Sequence, residues 1–300
     1  MRTASTVIAI TLMALAACNG RDGMLPDSGG RPYETTLAGD SDSVVWRVLT
    51  ADMEALPQPE PMFDVSMADK KQLKGAALLA RNIVTVDINH SLYSHTAVKY
   101  ERNVYADNQM IVHVSSPSRE QLRRDAPRLA SVAQLLAGHE RSLAIKRLKR
   151  HHNPKMEAEV KRLFGIDILL PPDMKASKRG KDFIWISNDS PTAMTNICIY
   201  RSANRDSVMR ENIKGETDMM YMTTVKGHSI KYTTRKGDRH TDITRGLWEM
   251  HGDAMGGPFV SHTIATPHGG TLTIEAFVYA PSTHKRNLLL NAEAAICTAK

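Results

Sequence analysis

The chain has 300 residues, of which 42% are apolar and 24% charged, and it carries a net charge of +7. These values exclude a disordered or fibrous chain, and the length is sufficient for two globular domains. Beyond residues 1–17, no apolar run approaches the roughly 20 residues that a membrane-spanning helix needs.

The N-terminal segment has the order of a secretory signal peptide. Arg2 supplies a positive charge, residues 7–15 form a short apolar stretch, and small residues follow. The closing Leu-Ala-Ala-Cys resembles the lipobox of bacterial lipoproteins, and this resemblance implies cleavage after residue 17 and lipidation of Cys18. The alternative is an ordinary signal peptide in which Cys18 is incidental.

This signal predicts an exported protein that Cys18 anchors to a membrane of the cell envelope. We expect the outer membrane, with the body of the protein in the periplasm. Residues 18–32 are rich in Gly, Pro, Asp and Ser, which predicts a flexible tether. Export also excludes nucleic acid as the partner of this basic chain and favours anionic lipid head groups, an acidic polysaccharide or another protein.

The first predicted domain covers residues 33–152. β-Branched and apolar runs predict strands over residues 33–38, 63–65, 82–88, 96–100 and 109–114. Possible N-caps at residues 40–43 precede a helix that ends before the proline-rich residues 56–61. Ser118 and Gln121 match a capping box that opens another helix, which we expect to end at Gly138 before a further helical stretch over residues 143–148.

The second predicted domain covers residues 153–300. Asn153-Pro154 is typical of an N-cap followed by proline at the first helical position, and Gly165 is the expected stop of that helix. Strands are predicted over residues 166–170, 183–187, 195–200, 219–225, 230–234, 248–250, 260–266 and 271–279. Helices are predicted over residues 207–213 and 282–299, and Pro267-His268-Gly269-Gly270 indicates a hairpin turn. This order predicts an α+β fold: two α/β-sandwich-like domains with mainly antiparallel sheets and flanking helices.

Two cysteines remain once Cys18 is assigned to the anchor. The oxidising environment of an exported protein permits a disulfide between Cys198 and Cys297. Both have apolar sequence neighbours, so the alternative is two unpaired thiols that behave as small apolar side chains. Sequence alone does not decide between these alternatives.

The segment 248–259 is the strongest candidate for a binding loop. Its glycines permit tight backbone geometry, and Trp248 and Phe259 offer apolar contact area beside Glu249, His251 and Asp253. The alternative interpretation is a tight turn whose aromatic side chains belong to the core. A basic run over residues 141–152 is either a contact for anionic head groups or a solvated helix face.

No motif of nucleophilic catalysis is present, and His139-Glu140 lacks the second histidine of a zinc-protease helix. We therefore predict no catalytic residues, no cofactor and no metal. Two alternatives stay open: a hydrolase or transferase acting on envelope glycan with Glu249 and Asp253 as acid and base, and a metal-binding module that uses His251, Asp253 and His262.

Several long motifs carry a family resemblance across the chain. They are SGGRPYE, LPQPEPMFDV, RNIV, YERNVYADNQM, ASKRGKDFIWISN, RDSVMRENIKGETDMMYM, GLWEMHGDAMGGPFVSH and EAFVYAPSTHKRN. With the lipobox, they resemble the uncharacterised Bacteroidetes lipoproteins grouped as domain of unknown function 4837. The resemblance implies an exported, lipid-anchored protein and transfers no catalytic residue. The order of elements in the second half also resembles PsbP/Mog1-like sandwiches, and fold analogy alone does not indicate function.

The leading functional hypothesis is therefore a non-catalytic binding or scaffolding protein of the cell envelope. Its expected partners are the membrane, through lipidated Cys18, and an envelope protein or glycan.

Overall fold

A computed structural model describes residues 25–236, 239–266 and 269–300. The predicted signal peptide, Cys18, most of the predicted tether and the Pro267-His268 part of the predicted turn lie outside the described residues. Residues 26–29 are hydrogen-bonded to the first domain: the Asp107 amide donates to the Pro26 carbonyl, and the Gly29 amide donates to the Leu79 carbonyl at 2.8 Å. The predicted tether is therefore too long at its C-terminal end.

The first sheet has five strands in the order β2-β1-β3-β5-β4. They span Glu34–Ala38 (β1), Asp64–Ala68 (β2), Asn82–Ile88 (β3), Ala97–Arg102 (β4) and Met110–Ser116 (β5). Strands β2, β1, β3 and β5 run parallel, and β4 is antiparallel to β5. Helices cover one face of this sheet, and the central strands β3 and β5 each begin with three consecutive buried residues, which are Asn82, Ile83 and Val84 in β3 and Met110, Ile111 and Val112 in β5.

The second sheet has seven strands in the order β6-β7-β8-β12-β11-β10-β9, all antiparallel. They span Ala176–Gly180 (β6), Phe183–Ser187 (β7), Met194–Tyr200 (β8), Tyr221–Lys236 (β9), Arg239–His251 (β10), Gly256–Ala265 (β11) and Thr271–Tyr279 (β12). Among the described strands, seven of ten pairings are antiparallel, which confirms the α+β class. The three parallel pairings correct the expectation for the first sheet, where helices and long connections join the strands.

In the described part of the chain, six α-helices flank the sheets. They span Val44–Leu49 (α1), Arg119–Arg124 (α2), Ala130–Arg150 (α3), Pro154–Phe164 (α4), Arg205–Asn212 (α5) and Arg286–Ile296 (α6). Ser118 accepts from the Gln121 amide as predicted, but the Gln121 side chain contacts Asp125 and Arg124, so only half of the predicted capping box forms. Asn153 accepts from the Met156 amide, and Gly165 ends α4 with a φ of 74°, as predicted. None of the helices in the described part of the chain has the length and apolar character that crossing a bilayer requires.

Several predicted boundaries were wrong. Helix α3 continues through Gly138, because a glycine inside a helix costs only about 1 kcal/mol. Residues 166–170 form no strand; their amides instead donate to groups such as the Lys300 carbonyl and the Glu157 carboxylate. Strand β6 was missed because its sequence, ASKRG, is polar and exposed.

The two faces of the second sheet bury different side chains. One face packs its branched aliphatic residues, such as Ile197 and Ile274, against α4 and α6. The opposite face carries an aromatic cluster that includes Tyr200, Trp248 and Phe277. Helix α6 also packs on α3 and places Leu290 in the core of the first sheet, so this helix joins the two cores.

A buried carboxylate connects the two domains at the start of α6. Glu60 accepts hydrogen bonds from the backbone amides of Lys285 at 2.7 Å and Arg286 at 3.0 Å. The Arg286 guanidinium in turn donates to the Asp64 carboxylate and to the Pro61 carbonyl. Since α6 has no side-chain cap of its own, the proline-rich segment of the first domain caps it, and this contact holds α6 between the domains.

Candidate ligand-binding cleft

The predicted binding loop is a β-hairpin. Segment 248–259 consists of the end of β10, a short turn that includes Gly252 with a φ of 84°, and the start of β11. Gly257 is required by close packing, since a Cβ at this position would overlap the Val278 carbonyl oxygen. Glycine at this position therefore allows the backbones of neighbouring segments to pack closely.

Trp248 and Phe259 are core residues, which corrects their assignment to a contact surface. Trp248 is 2% exposed, and its indole N–H donates to the Val278 carbonyl at 3.2 Å. Phe259 is 1% exposed and lies under the Arg205 guanidinium, whose central carbon is 3.9 Å from the ring centroid. Neither side chain can reach a partner while the domain is folded.

The polar residues of the same hairpin, Glu249, His251 and Asp253, are exposed. His251 stacks on Tyr221 with ring centroids 4.8 Å apart, and the Asp253 carboxylate accepts from the Ala254 amide at 2.6 Å. Glu249 lies in β10 opposite Gly256. Neither carboxylate lines the cleft described below, so this geometry does not favour Glu249 and Asp253 as an acid–base pair.

The proposed metal ligands are far apart. His262 of β11 pairs with Ile243 of β10. His251 also belongs to β10 and lies eight residues beyond Ile243. At about 3.3 Å per residue, this places their backbones roughly 26 Å apart. The described residues contain no group of three His, Cys, Asp or Glu side chains that could hold a metal ion.

The two cysteines are unpaired, which corrects the disulfide alternative. Cys198 is buried in β8, and Cys297 is exposed at the end of α6. Side chains alternate along a strand, so Cys198 belongs to the aromatic cluster while its neighbours Ile197 and Ile199 face α6. The sheet itself separates the two sulfurs, and burial raises the pKa of the Cys198 thiol well above its ordinary value.

A cleft of about 960 Å³ lies where α3 of the first domain meets the helical face of the second sheet. Its volume is within the range of small-molecule sites. The apolar part of its wall consists of Ile145, Ala158, Ile168, Leu169, Ile264, Ile274, Ile296 and Ala299. Its polar part includes Lys149, Glu157, Lys161, Asp167, Thr241, His262, Cys297 and Lys300.

Positively charged side chains outnumber negatively charged ones on the lining of this cleft. Lys161 forms an ion pair with Asp167 at 2.7 Å, and the Glu157 carboxylate accepts from the Leu170 amide and contacts His152. These contacts leave the exposed side chains of Lys149 and Lys300 as cationic groups along the wall. The cleft therefore combines an apolar surface with a positively charged rim.

Lys149 belongs to the basic run predicted on α3, and the run divides between several roles. Lys146 donates to Asn108 at 2.8 Å, and Arg147 donates to Asn291 of α6 at 3.3 Å. His152 contacts Glu157 at 2.8 Å. Lys149 is thus the member of the run that borders the cleft.

A buried ion pair supports the cleft at His262. The Glu293 carboxylate lies 3.2 Å from His262 Nε2 and accepts from Arg245 Nη2 at 2.6 and 2.7 Å. Burial alone would raise the pKa of Glu293, but the hydrogen bond from His262 and the charge of Arg245 lower this pKa to about 2. Glu293 is therefore ionised at neutral pH and fixes the orientation of the His262 ring.

Sequence reasoning identified His262 for a different role and missed the other residues of the cleft. The wall comes from α3, α4, three strands and residues 297–300, which lie up to 155 residues apart in sequence. The available signal in the sequence was Lys149 next to Leu148, which places a cation beside a buried apolar residue of α3.

These features define an exposed cleft on a two-domain α+β protein whose described residues contain no group of three potential metal ligands. Residues 153–298 match the model of the family described as Domain of unknown function (DUF4837), which confirms the predicted resemblance for this part of the chain. Residues 33–149 match a different family, Domain of unknown function (DUF8532), so the resemblance does not extend over the whole chain as predicted.

Other comparisons add no function. No curated protein matches the chain. A crystal structure from Bacteroides thetaiotaomicron VPI-5482 matches at 16% sequence identity with a TM-score of 0.24. The match covers 45% of this chain and 44% of that protein, so this chain spans less than half of its length.

Proposed function

We propose that this protein is a non-catalytic binding protein of the cell envelope, anchored to a membrane through Cys18, and that the cleft between α3 and the second sheet is its ligand site. The observation that carries the proposal is the cleft itself, an apolar wall of isoleucine side chains bordered by Lys149 and Lys300. Sites for small molecules occur preferentially where domains meet.

The chemistry of the wall favours an amphipathic anion. An apolar chain would lie against half-buried residues such as Ile145, Leu169 and Ile264, which removes their surface from water. The head group would lie at the rim near Lys149 and Lys300, where a carboxylate or phosphate gains charge-assisted hydrogen bonds. Long-chain carboxylates and phospholipids have this combination of groups.

A bulky substitution in the wall tests this assignment. Ile264→Trp should fill part of the cleft and weaken binding of dodecanoate, measured by isothermal titration calorimetry, at least tenfold. Ala265→Trp is the matched control, because this neighbouring residue of β11 is exposed and its side chain points to the other face of the sheet. Equal affinities for both variants and the unmodified protein would rule out the cleft as the site.

The anchor is tested separately. Cys18→Ser should move the protein from the membrane fraction to the soluble fraction and abolish incorporation of a clickable palmitate analogue. The physical reason is that each buried acyl methylene contributes about 0.8 kcal/mol of membrane affinity, which a serine cannot carry. Cys297→Ser is the control and should remain in the membrane fraction. A Cys18→Ser protein that stays membrane-bound would contradict lipid anchoring.

A further inference from the structure

A second pocket, of about 600 Å³, borders the first sheet where strands β2, β1 and β3 begin. Because these strands are parallel, their first residues meet at one edge of the sheet. Residues Thr35 of β1, Asn82 of β3 and the preceding Arg81 line the pocket, and Trp46 of α1 lies on its wall.

Three polar atoms of these residues are buried without a hydrogen-bond partner among the described residues. They are Thr35 Oγ1, Arg81 Nε and Asn82 Oδ1. Asn82 is fully buried and Thr35 is 3% exposed. Thr36 pairs with Ile83, so Thr35 and Asn82 are neighbours across the two strands. Buried polar atoms are almost always paired, so three unpaired ones on residues that line one pocket call for a polar partner, a water molecule or a ligand group, which reaches them when the lining side chains move.

The remaining groups of Asn82 and Arg81 are held firmly. The Asn82 amide nitrogen donates to the Glu140 carboxylate at 2.7 Å and to the Glu34 carbonyl at 2.9 Å. Arg81 Nη1 donates to Glu140 at 3.1 Å. These contacts fix which atoms are left over: a donor on Arg81, an acceptor on Asn82 and a hydroxyl on Thr35 that can do both.

The charges around the pocket are largely neutralised by internal pairs. Arg31 contacts Glu34, Arg81 contacts Glu140, and Asp64 contacts Arg286. A charged ligand would have to compete with these pairs, whereas a neutral molecule with several hydroxyl groups would not. Adjacent hydroxyls both donate and accept, which matches the three unpaired atoms.

Trp46 adds an aromatic surface to this polar pocket. The side chain is 39% exposed, although tryptophan is ordinarily highly buried. Its ring offers a flat apolar face with a negative quadrupole, which suits the C–H face of a pyranose ring. We propose that this pocket binds a neutral saccharide, which stacks on Trp46 and hydrogen-bonds to Thr35, Arg81 and Asn82.

Binding of an array of neutral oligosaccharides by the full-length protein, followed by calorimetry with the strongest binder, tests the proposal. Trp46→Ala should weaken that binding roughly tenfold or more, because it removes the stacking surface. Thr35→Val should weaken it about two- to tenfold without lowering the unfolding midpoint, because the hydroxyl has no partner within the protein. Tyr100→Ala, another exposed aromatic of the same domain, should bind like the unmodified protein.

Two outcomes would overturn the proposal. One is that no neutral oligosaccharide binds the unmodified protein. The other is that the strongest binder has the same affinity for the Trp46→Ala and Thr35→Val proteins. Because neither residue lines the cleft at α3, dodecanoate binding should be unchanged in both variants, which separates this proposal from the proposed function.

Discussion

Replacing Glu275 by Met is expected to lower the free energy of unfolding by about 3–5 kcal/mol. Glu275 is fully buried in β12 and accepts from Arg205 Nε at 2.9 and 3.0 Å and from the Tyr200 hydroxyl at 3.1 Å. The substitution removes the buried counter-charge of the largely enclosed Arg205 guanidinium and leaves only the exposed Asp206 carboxylate beside it, 3.3 Å from Nη1. Urea unfolding followed by circular dichroism measures the loss.

The control for this prediction removes both charges. In the Arg205→Met, Glu275→Met double variant no buried charge is left unpaired, so we expect most of the stability to return. Arg205 also lies over the Phe259 ring and donates to Thr224 at 3.0 Å. The double variant loses these two contacts, so we expect the stability that they provide to remain lost. The prediction would be contradicted if the single Glu275→Met variant had a free energy of unfolding within about 1 kcal/mol of that of the unmodified protein, since this is the contribution of one typical hydrogen bond. The ion pair would then provide no net stabilisation.

Glu293→Gln is expected to remove a pH-dependent stabilisation on the order of 3 kcal/mol. The pKa of Glu293 is lowered from 4.5 to about 2 in the folded protein. As the pH falls below the ordinary value, the unfolded chain takes up a proton before the folded chain does. The contribution of Glu293 is therefore fully present above about pH 5 and is lost as the pH falls towards 2.

The measurement is the difference in unfolding free energy between the unmodified protein and Glu293→Gln at several pH values. Other carboxyls with lowered pKa values, such as Asp64 and Asp87, also contribute to acid unfolding, and the difference cancels their effect. The difference should be largest near neutral pH and should shrink between pH 5 and 2, the window set by the lowered pKa. A difference that does not vary with pH would contradict an ionised Glu293 paired with Arg245 and His262.

Local sequence patterns predicted the elements whose burial is uniform. The predicted bounds of β3, β7 and β12 agree with the structure because each is rich in β-branched and aromatic residues and lies between turn residues. Strand β9 extends from Tyr221 to Lys236, well beyond its predicted pieces, because the pairing with β10 extends a polar sequence that has no strand periodicity of its own.

The candidate sites depend on pairings that no local pattern contains. The sequence shows Trp248 and Phe259 as prominent aromatics, but only the sheet topology shows that they pack on Val278 and Arg205. Glu60 lies in a proline-rich loop and caps a helix more than 220 residues later. Similarly, Asn82 is the first residue of a well-predicted strand, and its unpaired carbonyl is visible only once β1 and α3 are placed around it.

The central claim is that an amphipathic anion binds between α3 and the second sheet. It is tested most directly by NMR of isoleucine methyl groups during a titration with dodecanoate. We expect saturable shifts of Ile145, Ile264 and Ile274, which line the cleft, and none for Ile83 and Ile111 in the first sheet. Unchanged cleft methyl signals at saturating dodecanoate, or shifts of equal size in both groups, would contradict the proposed site.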